Sequence, residues 1–137
     1  MEENLYQGIA EEVRAEIQRN LRQHPLVINP VTLKGGCQNA AKMVYDKLTS
    51  YGETPSIFKL RHRYGDGVWE QGIHIVVAYN GLVIDPVITQ FFPDMQKYVF
   101  PEDAYPLNIV EKTDVTNSQF LCDSPERIRT AVPRVPR

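Results

Sequence analysis

The chain of 137 residues is close to the commonest size of a single domain and is long enough to build one hydrophobic core. Its composition, 42% apolar and 23% charged residues, is that of an ordinary globular protein and argues against a disordered or membrane-embedded chain. The net charge of -2 provides no electrostatic basis for binding nucleic acid, so a nucleic-acid partner is not expected.

The sequence shows neither a membrane span nor an export signal. No apolar run approaches the roughly 20 residues of a membrane helix, and the N-terminus lacks the basic and apolar regions of a signal peptide. We therefore expect a cytoplasmic protein, or one that is delivered as part of a larger protein. Residues 3–8, ENLYQG, resemble a protease-recognition tag that lacks its phenylalanine, and no function is assigned to residues 1–8.

Two helices are predicted in the first part of the chain. Apolar residues at every fourth position predict an amphipathic first helix, which ends before Pro25 because proline disfavours helical geometry in the residue before it. This stripe consists of Leu5, Ile9, Val13, Ile17 and Leu21. Residues 25–36 contain two prolines and two glycines, which indicates an irregular connection. A second helix begins at Cys37 and ends near Tyr51, before Gly52.

Strands are predicted in the second part, because β-branched and aromatic residues alternate there between turn residues. They cover residues 54–63, 68–79 and 82–85, with two more near 96–100 and 107–113. A basic cluster on the first strand is interpreted as a solvated face. It contains Lys59, Arg61, His62 and Arg63. The end of the chain, residues 123–137, is rich in arginine and proline and is predicted to be a mobile tail, which leaves one domain over residues 1–122.

The Asn80-Gly81 pair between two apolar strands predicts a two-residue hairpin, because both central residues of such a turn need a positive φ. This turn sets Tyr79 opposite Leu82. The alternation of side chains then places His74 and Asp85 on one face of the sheet, as diagonal neighbours. A carboxylate at that position orients an imidazole and favours its charged form.

Cys37 opens the second helix directly after Gly35 and Gly36. Backbone N–H groups and the helix dipole stabilise an anion at such a position, so a thiolate is favoured there. The two glycines allow a substrate backbone to approach closely. Each residue also has an ordinary structural interpretation, since a cysteine is often buried, a strand histidine is often a core residue, and an aspartate before proline often ends a strand. Their order along the chain and the hairpin register favour the catalytic interpretation.

The same order resembles the papain-like and transglutaminase-like cysteine enzymes, in which a cysteine that opens a helix is followed by a histidine on one strand and an aspartate or asparagine on the next. The stretches GGCQNAA and HIVVAYNGLVIDP are most similar to small bacterial papain-fold toxin domains, often the C-terminal effectors of larger delivered proteins. The resemblance covers about residues 33–90. It implies an α+β, papain-like fold, with the helix of Cys37 packed on a small antiparallel sheet. It also implies that Cys37 is the nucleophile, His74 the general base and acid, and Asp85 the residue that orients His74.

One feature of that family is missing, because no glutamine shortly precedes Cys37 to stabilise the oxyanion. The alternatives are Gln38, which follows the nucleophile, and the more distant Asn29 and Gln23. Trp69, on the same predicted strand as His74, or Phe91, after Asp85, is a candidate wall of the substrate cleft, and Gly35 and Gly36 are candidate contacts of the substrate.

The predicted function is acyl transfer through a thioester, by a Cys-His-Asp triad acting on a protein or peptide. The final acceptor, and with it the choice between peptidase, protein-glutamine deamidase and transglutaminase, is left open. No metal or organic cofactor is expected, and the resemblance to toxin domains implies a cognate immunity protein as a partner. Two other functions compete: a papain-like binding or adaptor module without turnover, and a redox protein in which Cys37 pairs with Cys122.

Overall fold

The computed structural model of the protein describes residues 2–24, 27–63 and 71–117. Within these ranges the chain forms two α-helices and a five-stranded antiparallel sheet, which confirms the predicted α+β class. The helices are α1 (Glu2–Arg19) and α2 (Cys37–Ser50). The strands are β1 (Ser56–Arg63), β2 (Gln71–Tyr79), β3 (Leu82–Ile84), β4 (Val99–Pro101) and β5 (Asn108–Asp114). Single-turn 3-10 helices cover Leu21–Gln23, Ile88–Gln90 and Glu102–Ala104.

The sheet has the strand order β4-β3-β2-β1-β5. The longest strand, β2, lies at its centre, and the next longest, β1, lies beside β2. β1 pairs with β2 over its whole length, and β5 adds to the outer edge of β1. The hairpin between β2 and β3 has the predicted register, with Tyr79 opposite Leu82. Asn80 and Gly81 have φ values of 55° and 74°, as the two-residue turn requires.

The two helices pack against one face of the sheet. Side chains of β2 that alternate with His74 join the core beneath α2, including Ile75 and Val77. The opposite face carries Leu60, Val76 and Val83, which pack with Tyr105 and Ile109. This division into two faces follows from the two-residue alternation of side chains along a strand.

Helix α1 forms as predicted, but its buried face differs at the N-terminal end. Ile9, Val13 and Ile17 are buried, whereas Leu5 is 54% exposed and Tyr6 takes the core position, with 2% exposure. The reason is geometric: four residues advance about 40° beyond one helical turn, so a strict four-residue step drifts off the core face. Residues 3–8 are therefore part of the fold, and Gln7 bonds Tyr98 N at 2.8 Å and Gln96 O at 2.9 Å.

Helix α2 begins and ends where the sequence predicts. Gly36 is its N-cap and Tyr51 its C-cap, and Gly52 follows with φ of 85°. Because that φ favours glycine, Gly52 marks the stop of the helix. No helix in the described ranges has the length and apolar character needed to cross a bilayer. The predicted tail over residues 123–137, and with it the proposed domain boundary, lies outside the described residues.

Candidate functional site

Cys37 is the first residue of α2 and has a free thiol with 8% exposure. The two preceding glycines have conformational and packing reasons to be there. Gly35 has φ of 93°, a left-handed conformation that other residues rarely adopt. A Cβ at Gly36 would lie 3.0 Å from a methyl carbon of Val27 and 3.1 Å from the carbonyl oxygen of Leu33, so a larger residue would require these neighbours to shift by a few tenths of an ångström.

His74 and Asp85 meet in the interior, as the hairpin register predicts. The distance from His74 Nε2 to Asp85 Oδ2 is 2.8 Å, and both side chains have 0% exposure. Asp85 is also held by its neighbours, because Oδ1 accepts a hydrogen bond from the Val87 amide at 3.2 Å. The carboxylate therefore has a fixed position from which to orient the imidazole.

Tyr105 is a further partner of Asp85 that the sequence did not reveal. Its hydroxyl donates a hydrogen bond of 2.6 Å to Oδ2, the oxygen that also receives His74 Nε2. Burial and then the charge of Asp85 raise the pKa of Tyr105 well above its ordinary value, so the phenol stays a donor. No local pattern connects Tyr105 with the hairpin, because it arrives from the loop between β4 and β5.

The electrostatics around His74 favour the imidazolium. Burial alone lowers the pKa of His74, but the charge and hydrogen bond of Asp85, followed by the thiol of Cys37, raise it to about 10. The influence of Cys37 on this pKa requires its thiol to lie close to the ring. Because Nε2 faces Asp85, Nδ1 is the nitrogen available to further partners. A thiolate beside an imidazolium is the activated form of a cysteine nucleophile.

Cys37 raises the pKa of His74, although alternation places α2 and His74 on opposite faces of the sheet. The ladder between β2 and β3 ends at the pair Val77 and Ile84. Beyond this pair, the chain that follows Asp85 turns away into the 3-10 helix Ile88–Gln90. The part of β2 that carries His74 is therefore not paired with β3.

The loop after Asp85 supplies two more neighbours of His74. The side-chain nitrogen of Gln90, Nε2, lies 3.3 Å from His74 Nδ1. The ring of Phe91 stands edge-on to the His74 ring, with 5.0 Å between their centroids. Gln90 was not among the predicted site residues, since nothing in the local sequence indicates that a residue beyond the hairpin folds back over it.

His62 lies deep in the protein, contrary to its assignment to a solvated basic face. It has 0% exposure, and its ring centroid is 6.3 Å from that of His74 and 4.7 Å from that of Phe91. Burial, followed by the charge of His74, lowers the pKa of His62 to about 4, so it is neutral at physiological pH. The reason for the wrong assignment is alternation: His62 points opposite to Arg61 and Arg63, which are exposed.

Arg14 of α1 connects the loop before Cys37 with the loop after Asp85. Its guanidinium donates to Pro86 O at 2.6 Å, Thr89 Oγ1 at 2.7 Å and Val31 O at 3.1 Å. The Thr89 hydroxyl in turn donates to Thr32 O at 2.8 Å. These bonds set the spacing between the two loops on which the candidate site depends.

The other predicted site residues are more scattered. Gln38 is buried in the first turn of α2, with 4% exposure. The side-chain oxygen of Asn29 accepts hydrogen bonds from the Val31 and Thr32 amides at 2.9 and 3.0 Å, and therefore shapes its own loop. Gln23 is exposed in the 3-10 helix Leu21–Gln23. Within the described ranges, neither Asn29 nor Gln23 has a hydrogen bond to Cys37 or His74. Trp69 and Cys122 lie outside the described residues.

Among the described residues, no group of three or more histidine, cysteine, aspartate or glutamate side chains is arranged to hold a metal ion. Comparisons with protein-family models, with curated proteins and with solved structures found no match to this chain.

Proposed function

We propose that this protein is a cysteine-dependent acyl-transfer enzyme with Cys37 as nucleophile, His74 as general base and acid, and Asp85 as the residue that orients His74. The observation that carries the proposal is the convergence of three distant stretches of chain on one imidazole. Asp85 binds one ring nitrogen of His74 at 2.8 Å, and the thiol of Cys37 lies close enough to raise the pKa of the same ring.

The proposed reaction forms and then resolves a thioester. The Cys37 thiolate attacks a carboxamide or peptide carbonyl, and the His74 Nδ1 proton passes to the departing amine. Water, activated by the now neutral His74, then attacks the thioester and releases the acid. Asp85 orients His74 and stabilises the imidazolium each time it forms. An amine in place of water as the final acceptor gives transamidation.

The finer assignment rests on the resemblance of GGCQNAA and HIVVAYNGLVIDP to papain-like enzymes. We propose a papain-like fold and a protein or peptide substrate, cleaved as a peptidase or deamidated at glutamine. A role as a bacterial toxin effector, delivered within a larger protein and restrained by an immunity protein, is part of the same proposal. Expression of the wild type and Cys37→Ala in bacteria tests this role: growth arrest by the wild type alone supports it, and equal growth argues against it.

The second candidate is a binding or adaptor module that keeps the same skeleton without turnover. It is favoured by one observation: His74 has 0% exposure and Cys37 only 8%, as in a structural polar core. In such a module the His74–Asp85 pair would serve only to fix the packing of the hairpin.

Thiol alkylation distinguishes the two candidates. Iodoacetamide should modify Cys37 rapidly at about pH 6.5, where an ordinary thiol with a pKa near 8.5 reacts slowly, and Cys122 in the same chain is the reference. His74→Gln is the matched variant, since it removes the imidazolium and leaves the thiol in place. Fast labelling of Cys37 that is lost in His74→Gln supports the enzyme. Equally slow labelling of both cysteines in the wild type supports the module.

A further inference from the structure

The side-chain amide of Gln90 lies beside His74 Nδ1, the ring nitrogen that Asp85 does not hold. Its nitrogen is 3.3 Å from His74 Nδ1, and the side chain is partly buried. Asp85 and Gln90 belong to the same short loop. The backbone N–H of Val87 donates to the Asp85 carboxylate, and the backbone N–H of Gln90 donates to Val87 O at 3.0 Å. These bonds fix the backbone of Gln90 relative to the His74–Asp85 pair.

The protonation state of His74 decides what this amide can do. A neutral ring with its proton on Nε2 has a lone pair at Nδ1, which can accept a hydrogen bond from the Gln90 amide. When His74 is an imidazolium, Nδ1 becomes a donor, so the Gln90 amide turns its oxygen toward Nδ1 and its N–H group away from the ring. In the ion pair, the Gln90 N–H group therefore donates to a different acceptor.

From this geometry we infer that Gln90 is a catalytic residue whose side-chain N–H stabilises the oxyanion formed at Cys37. The inference deepens the proposed function and rests on it. The acceptor is the carbonyl oxygen of the substrate, which gains negative charge as the C–S bond forms. The first-turn amides of α2 are the second source of donors, because the N–H groups at a helix start have no acceptor within the helix.

This assignment replaces the donors that the sequence suggested. Asn29 uses its side-chain oxygen to close its own loop, and Gln23 lies on an exposed turn. Gln38 lies next to Cys37 in sequence and is the remaining competitor. Gln90 comes from the loop after Asp85 and not from a position before the nucleophile.

The test compares two reactions of the same sulfur. With p-nitrophenyl acetate, Cys37 sulfur bonds to the acetyl carbon, the carbonyl electron pair moves to oxygen, and collapse expels p-nitrophenolate. With iodoacetamide, sulfur displaces iodide from a methylene carbon and no oxyanion forms. The ratio of the acetylation rate to the alkylation rate at Cys37, located by peptide mass spectrometry, therefore isolates oxyanion stabilisation from thiolate formation.

The variants are Gln90→Glu, which keeps the shape and removes the N–H donors, and Gln90→Met, which removes both polar atoms. Gln38→Met tests the competitor, and Gln96→Met, at an exposed loop position, is the control. We expect the ratio to fall about 100-fold in both Gln90 variants, at the lower end for the loss of one oxyanion donor. In Gln38→Met and Gln96→Met, the ratio of the acetylation rate to the alkylation rate should stay within about threefold of the wild-type ratio.

Each other outcome overturns the inference in a recognisable way. A ratio that is unchanged in the Gln90 variants, or that falls in Gln38→Met instead, excludes Gln90 as the donor while leaving the triad intact. Equal loss of both reactions in the Gln90 variants means that Gln90 only supports the ion pair. Wild-type alkylation of Cys37 as slow as that of Cys122 removes the proposed function itself, and the inference with it.

Discussion

Asp85→Asn is the most informative substitution, because it removes one charge from a fully buried pair and barely changes the shape of the side chain. In the wild type the pKa of His74 is raised from 6.5 to about 10, with Asp85 as the main cause that raises it. A tenfold change in a protonation constant is about 1.4 kcal/mol, so this rise corresponds to roughly 5 kcal/mol of stabilisation. Breaking a buried ion pair by removing one partner costs about 3 to 5 kcal/mol, which is of the same size.

The pH dependence of this loss gives a second readout. A group whose pKa is raised by folding stabilises the folded state fully below its unfolded pKa, and the stabilisation disappears as the pH rises through the folded pKa. For His74 this window runs from 6.5 up to about 10. The difference in unfolding free energy between wild type and Asp85→Asn should therefore be about 4 kcal/mol near pH 6 and below about 1 kcal/mol near pH 9.5.

Urea denaturation of both proteins at the two pH values, followed by far-ultraviolet circular dichroism, measures this difference. The alkylation rate of Cys37 at about pH 6.5 should fall at least tenfold in the variant, because the imidazolium that supports the thiolate is lost. A difference of similar size at both pH values would refute the assignment of the stability to a charged His74. A difference below about 1 kcal/mol near pH 6 would show that Asp85 and His74 are not paired in solution.

Three further predictions concern residues around the site. Tyr6→Ala should lower the unfolding free energy by about 3 kcal/mol, since it empties a buried position in α1, whereas a cost below about 1 kcal/mol would mean that residues 1–8 are dispensable. Arg14→Met should lower the free energy of unfolding by about 2 kcal/mol and slow the alkylation of Cys37, because the two loops lose their shared donor. Arg14→Lys should retain only part of the stability and of the alkylation rate. An unchanged alkylation rate in Arg14→Met would show that Arg14 does not position the site. The pKa of His62 is lowered from 6.5 to about 4, so the stability that depends on its neutral form is present above pH 6.5 and is lost as the pH falls toward 4. Between about pH 6.5 and pH 4.5, the free energy of unfolding of His62→Leu should therefore fall by roughly 2 kcal/mol less than that of the wild type. Equal decreases for both proteins in urea titrations would contradict this account.

Several features of the fold could be predicted from the sequence because they depend on neighbours along the chain. The Asn80-Gly81 turn allows only one register, and side chains alternate every two residues, so the approach of Asp85 to His74 follows from the local sequence. The start of α2 at Cys37 is similarly local, since glycine is a weak helix former and Gly35, with φ of 93°, lies outside the helical conformation.

Other features depend on contacts between distant segments and could not be predicted in this way. The face of α1 that is buried is decided by what packs on it, so Tyr6 and not Leu5 enters the core. His62 is buried because the loop containing Phe91 covers its end of the sheet, and no property of the basic cluster foretells that loop.

The sequence alone determined the helix that presents Cys37 and the hairpin that pairs His74 with Asp85, because a turn and a helix start are fixed by the conformations that a few consecutive residues allow. Only the tertiary structure decided that the thiol meets the imidazole, and that Gln90 and Tyr105 join them. These contacts depend on where the β2–β3 ladder ends and on how the following loops fold back. Such positions minimise the free energy of the whole packed chain, and no local pattern encodes them.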